Sequence, residues 1–93
     1  MSKKSTLKIM MDFVQNYLDG KSSRLDFDLD FNHYLNDNYA NLEWEVGDLA
    51  DCFAFYLAEE GYDKSHGLSD AAHMKLIKEQ YEEFLDAMQS DIL

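Results

Sequence analysis

Between Leu25 and Asp63 the chain carries eleven carboxylates and not one Lys or Arg, and it sets them among large apolar residues. The densest examples are Leu-Asp-Phe-Asp-Leu-Asp-Phe at 25–31 and Asp-Leu-Ala-Asp-Cys-Phe-Ala-Phe-Tyr-Leu-Ala-Glu-Glu at 48–60. A disordered acidic tail lacks the aromatics needed to build a core. Here Phe, Tyr and Trp recur throughout the acidic stretch, so the segment folds and its anions are left on the outside of the same elements. The whole chain has 19 acidic and 8 basic residues. Outside the stretch acids and bases balance, and the formal charge of −11 belongs to the middle of the sequence.

At 93 residues the chain is one small domain, 1–93, since neither half would keep a usable core. No apolar run approaches the roughly 20 residues that span a bilayer. The start, Met-Ser-Lys-Lys, is basic, but no long apolar region follows it, which gives neither a signal peptide nor an anchor. The lone Cys52 cannot form an internal disulfide and fits a reducing, cytoplasmic setting. Like charges repel, so the negative balance argues against direct contact with nucleic acid or an anionic membrane. It favours a basic partner.

Hydrophobic spacing reads as helices. The first runs from about Thr6 to Asp19, capped by Ser5 and ended by Gly20, with Leu7, Met10, Met11, Val14, Tyr17 and Leu18 on one stripe. Residues 25–31 alternate as a strand does. Ser23 followed by Asp26 nevertheless resembles a capping box, and Phe27, Phe31, Tyr34 and Leu35 continue with helical spacing. A single strand would also have no partner. A second helix is therefore expected over Arg24–Asn38, with a loop marked by Asn36, Asp37, Asn38 and Asn41. A third is expected over Leu42–Glu60, ending at Gly61, with Leu42, Val46, Leu49, Ala50, Phe53 and Leu57 as its core stripe. The loop Tyr-Asp-Lys-Ser-His-Gly follows. Ser69 then caps a last helix over Asp70–Gln89, whose inner stripe is His73/Met74, Ile77, Tyr81, Phe84, Leu85 and Met88. Four amphipathic helices with short connections predict an all-α, antiparallel up-down four-helix bundle.

The outer side of the third helix is the candidate partner surface. Trp44, Asp48, Asp51, Phe55 and Glu59 lie at i, i+4, i+7, i+11 and i+15, and Glu60 and Asp63 extend the patch. Aromatic anchors among carboxylates suit an interface, because aromatic residues dominate interface energetics. The plainer alternative is that Trp44 and Phe55 pack inside. Asp26, Asp30, His33 and Asp37 form a secondary acidic face that is equally well read as solvated, although unrelieved repulsion costs stability.

Metal binding fits poorly. The Asp26-x-Asp28-x-Asp30 start of a calcium loop meets Phe31 where Gly belongs and Asp37 where Glu belongs. The pairs Asp30-x-x-His33 and Asp70-x-x-His73 lack the further Glu ligands of a di-iron bundle. No nucleophile elbow, phosphate-cradling glycine loop or Cys–His pairing is present, which points to a non-enzyme without cofactor.

The helix ending Phe-Val-Gln-Asn-Tyr-Leu-Asp-Gly-Lys (13–21), the Ser-capped Ser-Arg-Leu-Asp-Phe-Asp-Leu-Asp-Phe (23–31), the acidic-aromatic helix at 48–57 and the final Tyr-x-x-Phe-Leu helix form a familiar layout. It resembles the colicin D-type immunity proteins, a family that includes immunity proteins of contact-dependent growth inhibition systems. The resemblance covers about Met10 to Met88. It implies a cytoplasmic bundle that binds the nuclease domain of a cognate toxin, typically a tRNase, as a monomer in a 1:1 complex. By position, Glu59, Glu60 and Asp63 would fill the toxin's basic RNA-binding cleft. The chain departs from the family at Gly61-Tyr62 and Phe55-Tyr56. The alternative function is a nucleic-acid mimic that inhibits a DNA-binding protein, as anti-restriction factors do. A metal-binding bundle and a self-pairing adaptor are further rivals.

Overall fold

Three serines start three of the four helices. The computed structural model describes the backbone of residues 5–92 and the side chains of residues 5–89; the basic start at 1–4 lies outside them. Ser5 Oγ accepts from the Lys8 N–H at 3.1 Å and opens α1 (Thr6–Leu18). Ser23 Oγ accepts from the Asp26 N–H at 3.1 Å and opens α2 (Arg24–Val46). Ser69 Oγ accepts from the Ala72 N–H at 3.2 Å and opens α4 (Asp70–Ile92). Each hydroxyl satisfies a donor that the first helical turn leaves without a carbonyl. Between α2 and α4 lies α3. It begins as an α-helix (Asp48–Phe53), passes into a π-helical segment (Ala54–Tyr62) and closes with one α-helical turn (Asp63–Ser65). The described residues contain no strand.

The expected starts of α1, α2 and α4 hold, and three boundaries between them move. First, α2 does not stop at Asn38. Leu35 and Leu42 are both buried, seven residues or two helical turns apart, while Asn36, Asp37 and Asn41 face water, where polar residues cost a helix little. Asn38 bonds its own amide to the Tyr34 carbonyl one turn back, at 2.8 Å. Second, the break falls at Gly47, inside the segment expected to be one helix. Its φ of +58° and ψ of −122° suit a residue without a Cβ. Third, Gly61 does not end α3. It is buried within the π segment, and the turn comes at residues 66–69, where Gly67 takes φ +85°. Gly20 does end α1, with Lys21 N–H reaching back to the Asn16 carbonyl at 2.8 Å.

Packing forms a ring: α2 and α4 each lie against both α1 and α3. The core joins Met10, Val14 and Tyr17 of α1, Phe27, Phe31, Leu35 and Leu42 of α2, Ala50, Phe53 and Leu57 of α3, and Ile77, Tyr81 and Phe84 of α4. Phe27 stacks on Tyr17 with centroids 4.7 Å apart, and Phe53 meets Phe84 edge-on at 5.1 Å. At the top of α1, the Thr6 N–H bonds the Glu45 carboxylate at 2.8 Å, which places an anion at a helix N-terminus. No helix among the described residues is long and apolar enough to cross a membrane.

Candidate protein-binding surface

Along α3 the side chains sort into two rows. Ala50, Phe53, Leu57, Gly61 and Ser65 are buried, whereas Asp48, Asp51, Phe55, Glu59 and Asp63 are exposed. From Asp51 onward both rows repeat every four residues. In an α-helix four residues overshoot one turn by about 40°, so the exposed row would drift by about 120° between positions 51 and 63. The π segment reaches back five residues for its hydrogen bonds and therefore holds more residues per turn. The wider winding offsets most of that drift, and Asp51, Phe55, Glu59 and Asp63 run nearly parallel to the helix axis. Gly61 lets the inner row approach α4: a Cβ there would stand 3.3 Å from Ile77 Cδ1 and 3.1 Å from the Tyr56 carbonyl.

The row carries no cation of its own. Asp48, Asp51, Glu59 and Asp63 form no ion pair with a described Lys or Arg. Glu60 differs from the expectation. It stands beside the row, half-buried, and binds Lys64 at 2.6 Å. An anion already neutralised within its own helix has less to offer a partner. Phe55 is 45% exposed between Asp51 and Glu59, with its ring edge-on to Tyr56 at 5.1 Å.

Tyr39 of α2 joins the patch by donating its hydroxyl to Asp51. That hydrogen bond, then burial, then the charges of Asp51, Glu43 and Glu59 push its pKa up to about 12. The charges of Glu43 on α2 and of Asp51 and Glu59 on α3 thus act on one phenol. The sign follows by linkage. The raised folded-state pKa gives stability that is complete below pH 10 and is lost as pH rises from 10 to about 12. Phenolate absorbance should therefore include a component near pH 12 that is missing in Tyr39→Phe and shifted downward in Asp51→Asn. A missing step near pH 10 instead would place Tyr39 away from the anions.

Trp44 is not on this row. It lies on α2, across the Gly47 break from Asp48, so the i, i+4 relation between them does not place them on one helix face. On α2 itself, at 100° per residue, Trp44 shares a sector of about 60° with Asp26, Asp30, His33 and Asp37. All five are exposed, Trp44 at 89%. Of the residues expected on the α3 face, Trp44 thus stands on the α2 face and Glu60 beside the row.

A buried network escaped the sequence reading. His73 is fully buried, with Nδ1 2.6 Å from the Tyr17 hydroxyl and Nε2 2.9 Å from Asp28 Oδ1. A carboxylate only accepts, so Nε2 carries the proton between them. Burial raises the Tyr17 pKa, Arg24 opposes the rise, and Asp28 and Asp70 add to it; the hydroxyl keeps its proton and supplies the donor for Nδ1. Arg24 continues the chain to Asp70 at 2.9 Å and to the Leu68 carbonyl at 2.7 Å. The network ties α1, α2 and α4 to the turn before α4. Its signal in the sequence was a histidine in an apolar stripe, which needs buried partners. Asp70 points outward to Arg24, and Asp30 and His33 are exposed. Among the described residues no group of three or more His, Cys, Asp or Glu is placed to hold a metal ion.

Comparison with protein-family models, curated proteins and solved structures gives no match for this chain.

Proposed function

We propose that this protein is an immunity-type inhibitor that neutralises a cognate bacterial toxin nuclease domain, a tRNase, by setting α3 into its basic RNA-binding cleft. In this role the chain is an antiparallel up-down bundle that acts in the cytoplasm as one partner of a 1:1 complex. One observation carries it: the exposed row Asp48, Asp51, Phe55, Glu59 and Asp63, unrelieved by any described lysine or arginine and straightened by π winding. A nuclease cleft is lined with cations that hold phosphates, and a rigid line of carboxylates offers the same charge without the cost of ordering a flexible chain. The field speeds encounter, while the partly exposed Phe55 supplies an apolar contact that charge alone lacks. On α4, Glu79, Glu82, Glu83 and Asp86 are exposed as well, but Lys75 and Lys78 stand exposed beside them and no large apolar side chain is exposed among them.

The test is affinity for the nuclease encoded beside this protein's gene. Glu59→Lys with Asp63→Lys should weaken binding by at least roughly tenfold, mostly through faster dissociation, because both lie on the docked face. Both side chains are exposed, so the melting temperature should stay nearly unchanged. Unaltered affinity in the double variant would move the site off this row. Inhibition of a DNA-binding protein, with no effect on any ribonuclease, would favour the mimic of duplex phosphates instead.

A further inference from the structure

The outer face of α2 presents a second surface with a chemistry of its own. Trp44 is 89% exposed and Leu29 60% exposed, in a fold that buries most of its other large rings. Side chains on a helix lean toward its N-terminus, which sets the indole over the turn of Ala40 and Asn41, on the side where Asp37 follows one turn further. Asp37, Asp30 and Asp26 continue along the same side toward Leu29, all exposed and none ion-paired with a described Lys or Arg. The face spans about 27 Å from position 26 to position 44 at the rise of an α-helix. A second copy of this chain would bring aspartates against aspartates, and charge therefore opposes self-pairing.

We infer that the outer face of α2, anchored by Trp44, docks an arginine-bearing helical segment of a protein partner. A guanidinium stacks on an indole while its fork binds a carboxylate, and one side of α2 carries Trp44 and, two turns toward the N-terminus, Asp37. An ammonium matches the charge but not the planar stack. The inference goes beyond the proposed inhibition and does not depend on it, since α3 and α2 expose different residues on different helices.

Trp44 is the only tryptophan, so its fluorescence reads this face alone. The probe is a synthetic helical peptide with arginines at i, i+4, i+7 and i+11, titrated into the full chain beside the same peptide with lysines. The arginine peptide should shift the indole emission to shorter wavelength in a saturable manner and bind several-fold more tightly than the lysine peptide. In calorimetry, Trp44→Ala and Asp30→Asn with Asp37→Asn should each weaken it about tenfold, the size of one lost anchor. Glu59→Lys with Asp63→Lys should leave it bound. Absence of a saturable shift overturns the inference. So does equal binding of the two peptides together with full binding by Trp44→Ala, which marks undirected charge attraction. An emission shift with rising concentration of the protein alone assigns the face to a second copy and overturns it as well.

Discussion

His73→Ala should lower the unfolding free energy by about 3–4 kcal/mol, measured by urea denaturation. The imidazole is fully buried, so truncation leaves a cavity among Tyr17, Phe27 and the backbone of α4. It also removes the acceptor of the Tyr17 hydroxyl and the donor to Asp28. His73→Phe separates the two losses. The ring refills the space, but the hydroxyl stays unpartnered in the core, and the expected cost falls to about 2 kcal/mol. Adding Tyr17→Phe should then return about 1 kcal/mol, because deleting an orphaned polar group is favourable. Asp28 retains Arg24, at 3.4 Å, throughout the series. If His73→Phe melts with the wild type, the hydrogen bonds contribute nothing net, and ring packing alone seats α4 against α1 and α2.

Gly47→Val should cost about 3 kcal/mol, and Gly47→Ala about 2 kcal/mol. Nothing lies within 4 Å of where a Cβ at Gly47 would stand, so the penalty is not crowding. It is the backbone itself, held at φ +58° and ψ −122°, where an L side chain meets its own peptide groups. The β-branched valine is the worse fit. Thermal melts of the two variants measure the loss. The strain has one local escape, the fusion of α2 and α3 into a continuous helix. That would carry Leu57 and Phe53 away from Phe84 and the rest of the core. Variants as stable as the wild type would show that the break is not held by Gly47.

The inner faces could be read from the sequence because burial imposes a period. Met10, Val14, Phe27, Phe31, Leu57, Ile77 and Phe84 fall where their spacing puts them. The starts of α1, α2 and α4 could be read too, since a serine before a helix acts within three residues, whereas α3 begins at Asp48 rather than Leu42. The ends were harder. Asn36, Asp37 and Asn41 have the composition of a loop, yet a solvent-facing stripe of a long helix has the same composition. Only the packing of Leu35 and Leu42 on one core distinguishes the two. Gly61 looked like a stop for a similar reason: its lack of a side chain serves close approach to Ile77, a contact 16 positions away along the chain.

On the candidate surface, the sequence fully specified the anions and the absence of cations among them, because charge is a property of composition and order. It also placed Asp48, Asp51, Phe55 and Glu59 on the outside of one helix, since the inner period leaves that side free, whereas Asp63, expected in the loop after Gly61, stands on the same helix. Tertiary structure decided which groups stand together. Tyr39 reaches the row from α2 through its bond to Asp51, Trp44 leaves it for another face, and Glu60 turns to Lys64. Each outcome depends on where Gly47 bends the chain and on how tightly α3 is wound. Those are settled by non-local packing energies that local patterns do not encode.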